Sequence, residues 1–169
     1  MALTWRENKD YMEIVADLMG SEEVQALEKF VHHKVTNRLA HSISVSYRSY
    51  KIAKFLGLDE VATARAALLH DLFYYESCDK HCVGGKGHNY EHPRIALENA
   101  LKLTELSEKE QDIIVKHMFG ATLALPLYGE SYIVTWMDKH SAICEWCAGI
   151  MNFIKNKEQS KAQAVEVSE

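Results

Sequence analysis

A histidine and an aspartate stand side by side in an apolar run, Leu68-Leu69-His70-Asp71-Leu72, and this pair constrains the fold more than any other feature of the chain. Such a run is driven into the interior, where a carboxylate is costly unless a cation or a hydrogen-bond network compensates it. On its own the dipeptide reads most simply as a buried hydrogen-bonded pair. Adjacent helical side chains diverge by about 100°, yet an imidazole and a carboxylate can still converge on one ion lying between them. What else the chain carries decides between the two.

The 169 residues are enough for one domain that buries about 70% of its unfolded surface. Only two prolines and eight glycines leave little material for a turn-rich β fold, so an all-α chain is expected, with 47% hydrophobic and 25% charged residues fitting a globular protein. The segment Met1-Ala2-Leu3-Thr4-Trp5-Arg6-Glu7 has no apolar signal region, and no apolar run approaches the roughly 18 residues of a membrane span. A cytoplasmic protein without a membrane partner is expected. A net charge of −5 without a Lys/Arg cluster argues against a nucleic-acid groove, while leaving room for a small phosphorylated substrate at a local cation.

Asp10 and Glu13 suggest a first helix that ends at Gly20, and Ser21 a second, running through Val24, Leu27 and Val31 to His32 and His33. A long helix is expected from Arg38 to Leu56, with His41, Val45, Ile52, Phe55 and Leu56 on one stripe and Gly57 as its C-cap. Asp59 should cap a helix from Glu60 to about Glu76 that carries the central pair. Residues 77–91, with three glycines and Lys80, His81 and Lys86, read as a functional loop. Pro93 suits the first position of the next helix, which would put His92 at a helix N-terminus. Ser107 and Glu110 form a capping-box signature, and a loop spans 119–129. The last helix is expected from Glu130 to Lys155, with Ile133, Trp136, Met137, His140, Ile143, Cys144, Cys147, Ile150, Met151 and Ile154 as its core stripe and Asp138 on the flank. One domain over 1–156 and a frayed polar tail over 157–169 follow.

Cys78 and Cys82 share a loop, and Cys144 and Cys147 a helix. The first spacing is one residue too long for the usual zinc pair, and the second lies in an apolar stripe, so small buried hydrophobes are the simpler reading for Cys144 and Cys147. A structural zinc site on the cysteines remains an alternative.

His41, His70, Asp71, His92, His117 and Asp138 fall on separate expected helices or their ends. Histidine with carboxylate suits a borderline first-row metal such as iron, manganese, cobalt or zinc. Four of these residues suffice for one ion, and six, with Asp71 shared, for two.

At these positions the chain resembles the HD superfamily of metal-dependent phosphohydrolases. The family pattern H…HD…D is matched by His41, His70-Asp71 and Asp138, set within Arg38-Leu39-Ala40-His41-Ser42, Ala66-Ala67-Leu68-Leu69-His70-Asp71 and Asp138-Lys139. His92 and His117 look like the two extra histidines of binuclear members, and matching segments cover about residues 36–146.

The resemblance implies an HD-type helical bundle with two divalent transition-metal ions, iron first and manganese, cobalt, zinc or nickel behind it. It implies hydrolysis of a phosphomonoester or phosphoanhydride, with a nucleotide as the substrate class, by attack of a metal-bridging hydroxide that Asp71 orients. Arg38, Lys139 and Arg94 are candidates for phosphate contact, each equally readable as a solvated or structural ion pair. His88 is a candidate acid for the leaving group. Many binuclear relatives read HDxGK, whereas here Leu72-Phe73-Tyr74 follows, so an aromatic replaces the lysine and Tyr74 becomes a second candidate at the substrate. A nucleotide-binding or regulatory module without turnover is the rival reading.

Overall fold

In the computed structural model, residues 4–32, 36–75 and 87–166 are described. Their architecture is all-α: α1 (Lys9–Met19), α2 (Glu22–Gln25), α3 (Arg38–Leu56), α4 (Glu60–Leu69), α5 (His88–Leu103), α6 (Glu108–Lys116) and α7 (Gly129–Glu166). Single 3-10 turns at Trp5–Glu7 and Ala26–Lys29 and a two-residue antiparallel ladder, β1 (Val31–His32) with β2 (Thr36–Asn37), complete it.

The starts of the helices follow capping chemistry. Asn8, Ser21, Asn37, Asp59 and Ser107 each accept a main-chain N–H of the first turn, and Ser107 with Glu110 makes the full reciprocal box. Asn8, not Asp10, is therefore the first cap. Gly57 closes α3 in the left-handed region at φ 67°, where its N–H still reaches carbonyls of the last turn.

The close pair at the centre is α3 against α4. Ser42, Ser46 and Ser49 on α3 are fully buried, as are Ala64, Ala66 and Ala67 on α4. These small side chains let the two backbones approach, and the Ser46 hydroxyl donates to the Ala64 carbonyl at 2.7 Å while accepting from the Tyr11 hydroxyl at 2.9 Å. Burial pushes the Tyr11 phenol up to about 12. Leu68, Leu69 and Leu72, with Ile113 and Ile114 of α6 and Val134 of α7, fill the core around this pair. Asp112 ties the 117–128 connection to the start of α7, accepting from the Leu127 N–H at 3.0 Å and the Ser131 hydroxyl at 2.7 Å.

Several boundaries differ from the sequence expectation. The helix after Ser21 stops at Gln25 and tightens to a 3-10 turn, because the chain then extends and Phe30 accepts the Arg38 N–H at 2.9 Å. His32 lies in β1, and His33 falls outside the described residues. α4 ends at Leu69, with His70 and Asp71 in a turn closed by the Leu72 N–H on the Leu69 carbonyl; Glu76 and residues 77–86, including Cys78, Lys80, His81, Cys82 and Lys86, are outside the described residues. α5 begins at His88, five residues before Pro93, so His92 sits in its second turn rather than at its end. Phe55 and Leu56 are exposed rather than buried. α7 continues through the expected tail to Glu166.

The largest departure is the rotation of α7. At about 100° per residue, Ser131, Val134, Asp138, Ser141 and Glu145 share one side of the helix, and Trp136, Ile143, Cys147 and Met151 the other. The first set faces the body, whereas all four of the second are exposed. Cys144 is exposed too, so neither cysteine is the buried hydrophobe expected of it. Of the stripe expected to be core, Met137 packs against the body and Ile133 is half-buried, while Trp136, His140, Ile143, Cys144, Cys147 and Met151 are exposed.

An added Cβ at Gly57 meets nothing within 4 Å, so strain alone opposes a side chain there. Gly57→Ala should cost ~1 kcal/mol, lowering Tm by roughly 2–4 °C in a thermal melt, with Gly57→Asn costing less.

Candidate metal centre

Four imidazoles from α3, the end of α4, α5 and the end of α6 converge with Asp71 and Asp138, and all four are nearly or fully buried. Each ring is held by its Nδ1. His70 Nδ1 is 2.7 Å from the Ala67 carbonyl, His92 Nδ1 2.8 Å from the His88 carbonyl and His117 Nδ1 2.8 Å from the Ile114 carbonyl. A carbonyl oxygen can only accept, so Nδ1 donates in each case and the neutral ring presents a bare Nε2 to the centre. His41 is held in the same sense by a carboxylate, with Nδ1 2.9 Å from Glu145 Oε1.

The Nε2 atoms meet the two aspartates in two groups. His41 Nε2 lies 3.1 Å and His70 Nε2 3.6 Å from Asp138 Oδ1. His92 Nε2 and His117 Nε2 lie 3.5 Å and 3.7 Å from Asp71 Oδ1, while Asp71 Oδ2 turns to His70 Nε2 at 3.8 Å. Asp71 thus stands between the groups with one oxygen toward each. His41, His70 and Asp138 form one set of donor atoms close enough to share an ion, and His70, Asp71 and His117 another.

Two features fit these residues to a cation. His70 Nε2 is buried and has no hydrogen-bond partner, and a buried orphan of this kind calls for a ligand or ion. His92 Nε2 and His117 Nε2 face one another at 2.9 Å, and with both Nδ1 atoms donating to carbonyls neither has a hydrogen to offer the other. Two opposed lone pairs repel, and a shared Lewis acid removes the repulsion. The absence of thiolate from the set and the mixture of imidazole with carboxylate suit a divalent first-row metal.

The electrostatics divide the four rings: His92 and His117 are held neutral, whereas the two aspartates favour a positive charge at His41 and His70, the charge a cation in the same place would supply. Burial holds His117 down to about 3, helped by its imidazole neighbours, and burial also lowers His92 against the pull of Asp71. Burial opposes a charge on His41 as well, but its hydrogen bonds to Asp138 and Glu145 outweigh this and raise it to about 10. Burial likewise opposes a charge on His70, yet Asp71 and Asp138 bring its pKa up. Both aspartates stay ionised: burial would raise them, and the surrounding imidazoles carry Asp71 and Asp138 below the usual carboxylate range.

A family model described as HD domain matches residues 38–143. The chain belongs to the HD domain family. No curated protein matches it in sequence. The HD histidine and aspartate sit in the turn after α4 rather than on the helix, and that turn aims His70 and Asp71 at the same point. HD domains bind divalent metals, and the clustered donors here have the composition such binding needs.

The remaining residues singled out from sequence divide differently. His88 adjoins the cluster, stacking on His92 with centroids 4.4 Å apart and hydrogen-bonded through Nδ1 to the Tyr75 hydroxyl at 3.2 Å. Arg38 is fully buried, donates to the Phe73 and Tyr75 carbonyls at 2.6 and 3.0 Å, and lies 3.7 Å over the Phe73 ring. It fixes the segment that follows Asp71. Arg94 folds onto its own helix, donating to the Tyr90 carbonyl and stacking on the Tyr90 ring. Tyr74 sends its hydroxyl to the Glu23 carbonyl at 3.3 Å. Lys139 directs its ammonium to the Phe119 carbonyl at 2.8 Å, with the His117 carbonyl at 3.5 Å, and burial lowers its pKa. It holds the turn that carries His117.

Glu145 is the residue that sequence reasoning missed. It stands two helical turns after Asp138, a spacing that puts both carboxylates on one face. Partners that orient a metal-binding imidazole are commonly worth 10- to 100-fold in affinity. Glu145→Ala should therefore weaken metal binding by about 10- to 100-fold in a competition titration, and lower Tm in the presence of a chelator too, because the buried His41 Nδ1–H loses its acceptor.

Proposed function

We propose that this HD domain is a metal-dependent phosphohydrolase that cleaves a phosphomonoester or phosphoanhydride of a nucleotide. His41, His70 and Asp138 would hold one divalent ion and His92 and His117 a second, with Asp71 touching both. The observation that carries the reading is the buried Nε2 of His70, which makes no hydrogen bond and lies 3.6 Å from Asp138 and 3.8 Å from Asp71 at the junction of the two groups. Iron is the first candidate, with manganese, cobalt, zinc and nickel behind it, since imidazole and carboxylate together suit all of these better than calcium or magnesium.

Bound there, divalent ions supply Lewis acidity toward a phosphoryl oxygen and lower the pKa of water toward neutrality. The chain's own residues supply the rest. Asp71, ionised and shared between the two groups, orients the attacking water and keeps its proton directed away from phosphorus. His88 stands beside His92 with the Tyr75 hydroxyl 3.2 Å from its Nδ1, and an imidazole at that place is the candidate to give a proton to the departing oxygen. Lys139 acts on the reaction by positioning, through its grip on the Phe119 carbonyl beside His117.

A second reading, a nucleotide-binding module without turnover, is favoured by one specific feature. Among the described residues, the guanidinium of Arg38 and the ammonium of Lys139 are directed at main-chain carbonyls, and Tyr74 stands where HDxGK relatives carry a lysine. Phosphate release from a nucleotide panel and from p-nitrophenyl phosphate, with iron, manganese and cobalt in turn, separates the two. Turnover that Asp71→Ala lowers by a thousandfold or more supports the hydrolase, and tight binding without phosphate release supports the module.

Metal content tests the shared ligand. Protein purified without chelators should carry two equivalents by elemental analysis, His92→Ala or His117→Ala should lose one, and Asp71→Ala both. Equal loss in all three variants would contradict a two-site arrangement.

A further inference from the structure

α7 turns its polar side to the body and its apolar side outward. Asp138 and Glu145 are required at His41, and that requirement fixes the rotation of the helix. On the opposite side Trp136 is 70%, Ile143 62% and Trp146 64% exposed, with Cys147 and Met151 exposed between and beyond them. The spacing 136, 143, 147 and the neighbouring 146 is that of a helix–helix seam, and in sequence it runs on through Ile150 and Ile154. Over residues 141–154 the only acidic or basic side chain, Glu145, faces inward to His41, while His140 lies on the outer face with its Nδ1 3.1 Å from an Arg48 guanidinium nitrogen. A helix whose exposed face is largely apolar, with one polar pair along it, is one whose partner is missing.

We infer that the outer face of α7 is a dimer interface, and that its occupant is α7 of a second copy of this chain, packed about a two-fold axis. The chemistry of the stripe and its area favour a second copy over another partner. Beyond the His140–Arg48 pair the stripe has no charged group to select a complementary surface, so the surface that fits it best is equally apolar, as its own copy is. A two-fold contact presents one patch to itself, the usual solution for soluble oligomers.

Area points the same way. The two exposed tryptophans alone offer on the order of 300 Å², and Tyr132, Ile143, Cys147 and Met151 extend the patch toward the roughly 800 Å² per partner of a stable interface. At its upper end a cavity of about 350 Å³ opens between Phe119, Tyr132 and Trp136, of a size to take one large apolar side chain from the partner. Central, pocketed aromatics are where interfaces concentrate their binding energy.

Sedimentation velocity and light scattering on the full chain at micromolar concentration test this. The expected mass is twice that of the chain, and dilution should red-shift the tryptophan emission as Trp136 and Trp146 meet water. Ile143→Glu and Trp146→Glu should each weaken association at least a hundredfold and give a monomer, with helical circular dichroism and metal content unchanged. Met151→Lys, lower on the same face, gives the same reading if either of those variants fails to fold. A monomeric wild-type chain would overturn the inference, as would a dimer that persists in the charged variants or an assembly larger than two.

Discussion

The structure depends on one repeated interaction: an imidazole whose Nδ1–H is held by an acceptor on its own chain and whose Nε2 is thereby turned inward. His70, His92 and His117 use carbonyls three or four residues back along their own helices, and His41 uses Glu145 of α7. The local bonds leave little freedom in each ring, so the centre is pre-organised by secondary structure. Two buried carboxylates among four imidazoles would be expensive as an apolar core. As a cradle for cations, the same set becomes consistent.

The rest of the fold serves that convergence. The small-residue contact between α3 and α4 brings His41 and the His70-Asp71 turn together, and Ser46 serves it as both donor and acceptor. Arg38, first residue of α3, and Asn99 of α5 bond to carbonyls immediately after Asp71, so the chain leaves the centre along a fixed path. Lys139 and Asp112 do the same for the segment between His117 and α7. The cations at Arg38 and Lys139 are bonded to main-chain carbonyls beside the clustered histidines and aspartates.

What was legible in the sequence was chemistry and spacing. The six clustered side chains, the caps at Ser21, Asp59 and Ser107 and the left-handed glycine at 57 are local patterns, and each leaves a local signature. The end of α4 was not legible, because Leu69-His70-Asp71-Leu72 continues an apolar run and nothing in the run says where the turn falls. The rotation of α7 was misread for a deeper reason. Periodicity identifies a stripe but not what covers it, and the assumption that the apolar side faces the body fails where two carboxylates must reach a buried imidazole. Glu145 escaped notice for the same cause, since it lies opposite the stripe that seemed to define the helix.

The central claim is that six side chains gather around inorganic ions. Anomalous diffraction at the absorption edges of iron, manganese, cobalt, nickel and zinc, from crystals of protein never exposed to chelator, tests it most directly. The account predicts two peaks flanking Asp71, each at about 2.0–2.3 Å from imidazole Nε2 atoms. An empty map at the cluster after soaking with each metal in turn, or a peak on the cysteines with none beside His70, would contradict it.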